Sequence, residues 1–202
     1  MSITNYTELQ ASIASWLHRD DLTAFIPDFI ALAEVQLSTD VTAREMETRL
    51  PITITAANPY FSLPNDMVEM RRLRLNTEPY QVLKYATPDE IDEDYGTSAS
   101  QRPAVFTVIG TQAQVAPIPD ADYTGELTYK QRIPALSSTN ATNWLLTLYP
   151  NVYLFASLSA AAIWAESDDA DLAKWTTFYQ AGINAINNIE WYSGTTLRVR
   201  AR

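Results

Sequence analysis

The sequence predicts an α+β fold: a four-helix bundle from the N- and C-terminal helix pairs, an inserted β-rich lobe, and an extended C-terminal arm. Three observations predict it. Apolar residues recur at helical spacing before Glu45 and after Trp144, and alternate with a period of two over much of the stretch between. Between Arg132 and Glu166 no residue is charged, as expected of a helix enclosed by protein. The last five positions hold three of the chain's 14 basic residues, although the whole chain carries a formal charge of −10.

Asn5 is placed to cap the first helix, with Glu8 completing a capping box. Leu9, Ile13, Trp16 and Leu17 follow on one face, and the run His18 to Asp21 breaks the pattern. Asp20 or Asp21 is available to cap what comes next. Pro27 suits the first turn of a second helix, whose apolar face is Phe29, Ile30, Ala33 and Leu37. Two such helices joined by a short link should pack as a hairpin.

Strand chemistry begins at Leu50, where Leu50, Ile52 and Ile54 alternate with Pro51, Thr53 and Thr55. Further extended runs are expected at Tyr60–Leu63, Met67–Leu75, Tyr80–Tyr85, Ala104–Ile109, Gln112–Pro117 and Glu126–Ile133. Turns fall at Asn58-Pro59, Asn76–Pro79, Gly110-Thr111 and Asp120–Gly125. Thr87-Pro88-Asp89-Glu90 is a capping box with proline at the first helical position, and Gly96 is the stop of that short helix. Helical spacing returns at Trp144, restarts at Pro150, and resumes after Ser167-Asp168-Asp169 with Leu172, Trp175, Tyr179, Ile183, Ile186 and Ile189 on one face up to Gly194. The expected divisions are therefore a helical bundle of residues 1–48 and 136–194, a β-rich lobe of 49–135 and an arm of 195–202.

Composition narrows the function. A 202-residue chain that is 47% hydrophobic can bury a core as one domain with a sizeable insert. With 14 Lys and Arg against 24 Asp and Glu, gripping duplex phosphates is disfavoured. The absence of cysteine excludes disulfides, thiol nucleophiles and Cys-based zinc sites. The opening MSITNYTELQ lacks the basic and apolar regions of a secretory signal, so the chain is expected to act where it is made or to be carried out within an assembly. Trp144 to Ala165 approaches the length of about 20 apolar residues that a membrane span requires. It carries Thr147, Asn151, Ser157, Ser159 and Pro150 and lacks close Lys or Arg flanks, so a buried helix is expected and no membrane partner.

No catalytic, cofactor-binding or metal site is expected. His18 is the single histidine, stands beside Arg19 and two aspartates, and has no G-x-S-x-G nucleophile motif to serve. The acidic run Asp89–Asp94 lacks the glycine and glutamate spacing of an EF-hand loop, and reads as helix capping plus a solvated face. Asp120-Ala121-Asp122 reads as a polar turn. Paired carboxylates for glycoside hydrolysis are a matter of spatial separation, and with 24 acidic residues some close pair arises by chance. The five tryptophans and eleven tyrosines mostly stand at core spacing, and only as a secondary reading would exposed ones form a carbohydrate-binding tail or surface module. At the C-terminus, Leu197, Val199 and Ala201 alternate with Arg198, Arg200 and Arg202. Extended, such a segment is apolar on one side and cationic on the other, as suits a peptide that adds to an acidic partner.

Several segments together resemble a family. Trp16-Leu17-His18-Arg19-Asp20-Asp21-Leu22 followed by Phe29-Ile30-Ala31-Leu32-Ala33-Glu34 resembles the opening of tailed-bacteriophage head-to-tail adaptor (connector, head completion) proteins. Met46-Glu47-Thr48-Arg49, Tyr60 to Asp66, and Asn143–Leu146 with Tyr149–Tyr153 continue the resemblance in the same order over nearly the whole chain. The resemblance implies a structural, non-enzymatic virion protein at the neck, assembled in the host cytoplasm. It implies a homo-dodecameric ring between the portal protein and a tail or nozzle protein, continuing the channel through which DNA passes without specific binding. It also implies that the C-terminal segment reaches the portal, which makes Leu197, Arg198, Val199, Arg200 and Arg202 the expected docking arm. His18 is given no role by the resemblance. A mostly acidic channel wall suits passage of DNA without phosphate salt bridges.

Overall fold

The computed structural model describes residues 3–96, 99–165 and 168–189. It divides into two compact units: a helical one, which takes the chain up to Glu45 and from Ile133 onward, and a β one, Met46–Arg132. Gly194 and the arm of 195–202 lie outside the described residues.

In the helical unit, α1 (Tyr6–Leu17) starts from Asn5, whose side chain accepts the Glu8 amide at 3.0 Å. The return half of the capping box goes elsewhere than expected: Glu8 accepts from the Thr4 amide and hydroxyl, both at 2.7 Å. His18 ends the helix in the left-handed region at φ 50°, a conformation that interrupts helical hydrogen bonding. Asp21 does not cap the next segment. It pairs with Arg19 at 2.6 Å, and Asp20–Phe25 forms a 3-10 turn without a side-chain cap. α2 (Ile26–Asp40) has Pro27 in its first turn and buries Phe29, Ile30, Ala33 and Leu37.

After Ile133, Asn143 caps α4 (Trp144–Leu148) by accepting the Leu146 amide at 2.8 Å, and Pro150 opens α5 (Pro150–Trp164). α6 (Asp169–Ile189) buries Trp175, Tyr179, Ile183 and Ile186. α5 is the hub, and this explains its uncharged sequence. α1, α2 and α6 each pack on it, and Val152, Tyr153, Leu154, Ala156, Ser157, Leu158, Ala161 and Ala162 are all buried. The helix pairs from the two ends of the chain thus meet on α5, and α6 packs chiefly on it. Ala161 meets Leu22 and Phe29 of the same chain, so the small-residue run admits an internal neighbour. No described helix is long and apolar enough to cross a membrane.

The β unit has two four-stranded sheets. The first has the order β1-β8-β3-β4 and the second β2-β7-β6-β5. The strands are β1 (Glu47–Ile54), β2 (Tyr60–Ser62), β3 (Met67–Leu75), β4 (Gln81–Val82), β5 (Lys84–Tyr85), β6 (Val105–Ile109), β7 (Gln112–Ala116) and β8 (Tyr123–Gln131). One core serves both sheets: Ile54, Leu73, Leu75, Leu127 and Tyr129 from the first meet Phe106, Ala113 and Val115 from the second. The run Tyr80–Tyr85, expected as one strand, divides at Leu83. The Leu83 amide bonds to Leu73 in the first sheet and the Lys84 amide to Ala104 beside the second, so the chain changes sheets there. β8 begins at Tyr123, inside the expected turn, and Gly125 lies in the strand because a Cβ there would stand 2.7 Å from the Arg74 carbonyl oxygen. The helix α3 (Pro88–Tyr95) carries the full Thr87/Glu90 capping box and packs on β6.

Candidate assembly surfaces

Among the described residues no three His, Asp or Glu side chains gather as a metal site. The candidate sites are surfaces. In the helical unit, Leu32 and Gln36 of α2 face Ser159, Ala160, Ile163 and Trp164 of α5 across an open groove without a charged lining residue. Leu32 is 60% exposed, Ile163 70% and Trp164 52%. Phe25, also exposed, holds the Trp164 ring at 4.8 Å, which fixes the groove wall. The helical pattern explains the exposure. Leu32 falls outside the face that runs Phe29, Ile30, Ala33 and Leu37, and α5 has apolar residues on every side. This makes the groove the candidate contact surface of the helical unit.

The helical unit also holds a buried polar node. The Glu34 Oε1 atom accepts the Leu136 amide at 2.7 Å and the Tyr153 hydroxyl at 2.8 Å. Asn143 Nδ2 donates to the Tyr153 hydroxyl at 2.9 Å and to the Pro134 carbonyl at 2.8 Å. Burial raises the Glu34 carboxyl above the ordinary glutamate range, and the same burial, with the Glu34 charge beside it, raises the Tyr153 hydroxyl. The node fixes the chain entering α4 against α2 and α5. The sequence expectations did not single out Glu34. The signal was present: a lone carboxylate at position 34 shares the buried face with Ile30 and Leu37. A second clasp holds Asp40, which accepts the Tyr179 hydroxyl at 2.7 Å, while Asn187 bonds to the backbone of Asp40 and Thr42.

In the β unit one face of the first sheet carries charge. Register places Arg49, Thr128 and Arg72 in one cross-strand row, Pro51, Glu126 and Arg74 in a second, and Glu47, Lys130 and Glu69 in a third. These rows share the face of the first sheet opposite to Leu127 and Tyr129, which point into the core. Glu126 lies 3.6 Å from Arg72 and 3.4 Å from Arg74, while Arg71 pairs with Glu69 at 3.3 Å and Glu47 at 3.8 Å. Tyr80 lies under the Arg74 guanidinium at 4.7 Å. Burial lowers the Lys130 amine.

The residues singled out from sequence fall where local chemistry accounts for them. His18 is an exposed helix end. Asp89 and Glu90 occupy the first turn of α3. Asp122 accepts the Ala56 amide at 2.7 Å and Asp120 the Tyr123 hydroxyl at 2.6 Å, so both lock the turn between Ala56 and β8. The docking-arm residues Leu197, Arg198, Val199, Arg200 and Arg202 are outside the described residues.

A family model described as SU10 adaptor protein matches residues 4–200 of the chain. No curated protein matches it.

Proposed function

The chain belongs to the SU10 adaptor protein family, a phage head-to-tail adaptor family, and from this structural role we propose a ring that joins portal to tail. In this reading twelve copies form a closed ring under the portal, continue the DNA channel without gripping the DNA, and offer a lower face to the tail or nozzle protein. The β unit forms the tail-proximal part, and Leu197 to Arg202 dock on the portal. The observation that carries the reading is the uncharged groove between α2 and α5. An adaptor assembles by burying such faces against its neighbours, because removing apolar area from water is the main driving force of lasting association. The net charge of −10 per chain fits a conduit that avoids phosphate contacts.

Two variants test it. Replacing Leu32 and Ile163 together by Asp places charges on exposed positions, so the fold should survive while ring formation with portal is lost. Removing residues 197–202 should weaken portal attachment at least tenfold with an unchanged melting temperature. Portal-bound rings of ordinary mass from the double variant would contradict the groove, and undiminished portal attachment of the shortened chain would contradict the arm.

A further inference from the structure

We infer that the β unit makes its own head-to-tail contact between copies, with the arginine-bearing face of the first sheet in one copy against α3 of the next. The inference rests on the ring reading and adds to it a second, electrostatic joint.

The two surfaces are of opposite sign and lie on opposite sides of one unit. On the first sheet Arg49, Arg71, Arg72 and Arg74 stand with Glu47, Glu69 and Glu126. Arg49, exposed, makes none of the ion pairs that engage Arg71, Arg72 and Arg74. On α3 the run Pro88–Tyr95 holds Asp89, Glu90, Asp92, Glu93 and Asp94 and no cation, and all five are exposed.

Their placement follows from burial. Phe106 of β6 points into the core between the sheets, so Thr107 must point out of the second sheet. Thr107 is nevertheless wholly buried, and Ile91 of α3, which packs on β6, is buried as well. α3 therefore covers the outer face of the second sheet. The arginines stand on the outer face of the first.

A patch and its complement on opposite sides of one body cannot pair symmetrically. They pair head to tail, and such contacts close into rings when the rotation per copy permits. The same charges steer encounter and fix orientation. A repulsive stack of like faces is disfavoured for the same reason, which would hold the copies in one direction around the ring.

The chain contains no cysteine, so paired cysteines report the contact directly. In the full chain with portal, the variant carrying Arg49→Cys and Asp92→Cys should give, under mild oxidation, a ladder of disulfide-linked oligomers. Each single-cysteine variant should stay unlinked. Raising ionic strength from 0.05 to 0.5 M should slow linking about tenfold, because screening shortens to a few ångströms. Adding Arg72→Glu and Arg74→Glu to the pair should slow it similarly, and circular dichroism checks that this variant keeps its strands.

Rings of the unmodified chain with portal, together with no ladder from the cysteine pair, would overturn this contact and leave the ring reading standing. Linked dimers from either single-cysteine variant would show a symmetric contact and would also overturn it. An absence of both rings and ladder would overturn both readings.

Discussion

At the α2–α5 groove the exposed side chains of the helical unit are Leu32, Ile163 and Trp164, whereas the first sheet of the β unit exposes arginine and glutamate in cross-strand rows. Both units bury an apolar core, so the difference lies in what each leaves for a partner. An apolar groove gains by area and is little affected by charge screening. A charged sheet face contributes orientation and encounter rate, and salt weakens it. In the proposed ring the groove supplies strength of assembly and the charged face its direction, so each is open to separate perturbation.

The largest effect expected is in the β core. Leu127 is wholly buried on β8, beside Leu50 of β1 and Leu73 of β3, and Leu127→Ala should cost about 2–5 kcal/mol. Hydrogen exchange of the full chain should then speed up most in β1, β3 and β8. Uniform change across the helices instead would mean that the core assigned to this unit is wrong.

A smaller effect is expected at the polar node of the helical unit. Burial raises the folded Glu34 pKa above its unfolded value. The protonated folded state is thereby favoured, so this stability is fully present below the unfolded pKa and is lost as pH rises through the folded one. Glu34→Gln should remove that dependence. Between about pH 4, near the ordinary glutamate value, and neutrality, the wild-type melting temperature should fall relative to that of the variant. The change is on the order of 1 kcal/mol, the scale of one buried hydrogen bond. Parallel melting curves for the two proteins across this range would place the carboxylate outside the node.

Much of this fold was legible because local signals and tertiary packing agree. Asn5, Thr87, Pro27 and Pro150 all mark helix starts, and each does so through a backbone need that a few neighbouring residues satisfy. The division at Leu83 was not legible, since an apolar–polar alternation says nothing about which of two sheets a residue joins. Nor was the early start of β8, where turn-forming residues yield to pairing with β1 and β3. The hub role of α5 was partly visible in its uncharged sequence, but which helices surround it depends on long-range packing.

The candidate surfaces divide in the same way. Leu32 and Ile163 look like ordinary apolar helix residues until burial shows which face they occupy. Arg49, Arg72 and Arg74 lie far apart in sequence or alternate along a strand, and only register brings them into adjoining rows. A slip of one residue would move them all to the other face. The arginine-rich end was readable as a segment, through its alternation with Leu197 and Val199.

The most direct test of the adaptor account is the mass of the full chain in solution, measured with and without portal protein. The account requires a closed ring in the presence of portal, with twelve copies per portal assembly. A chain that stays monomeric beside portal at micromolar concentration, or that binds it as scattered single copies, would contradict it.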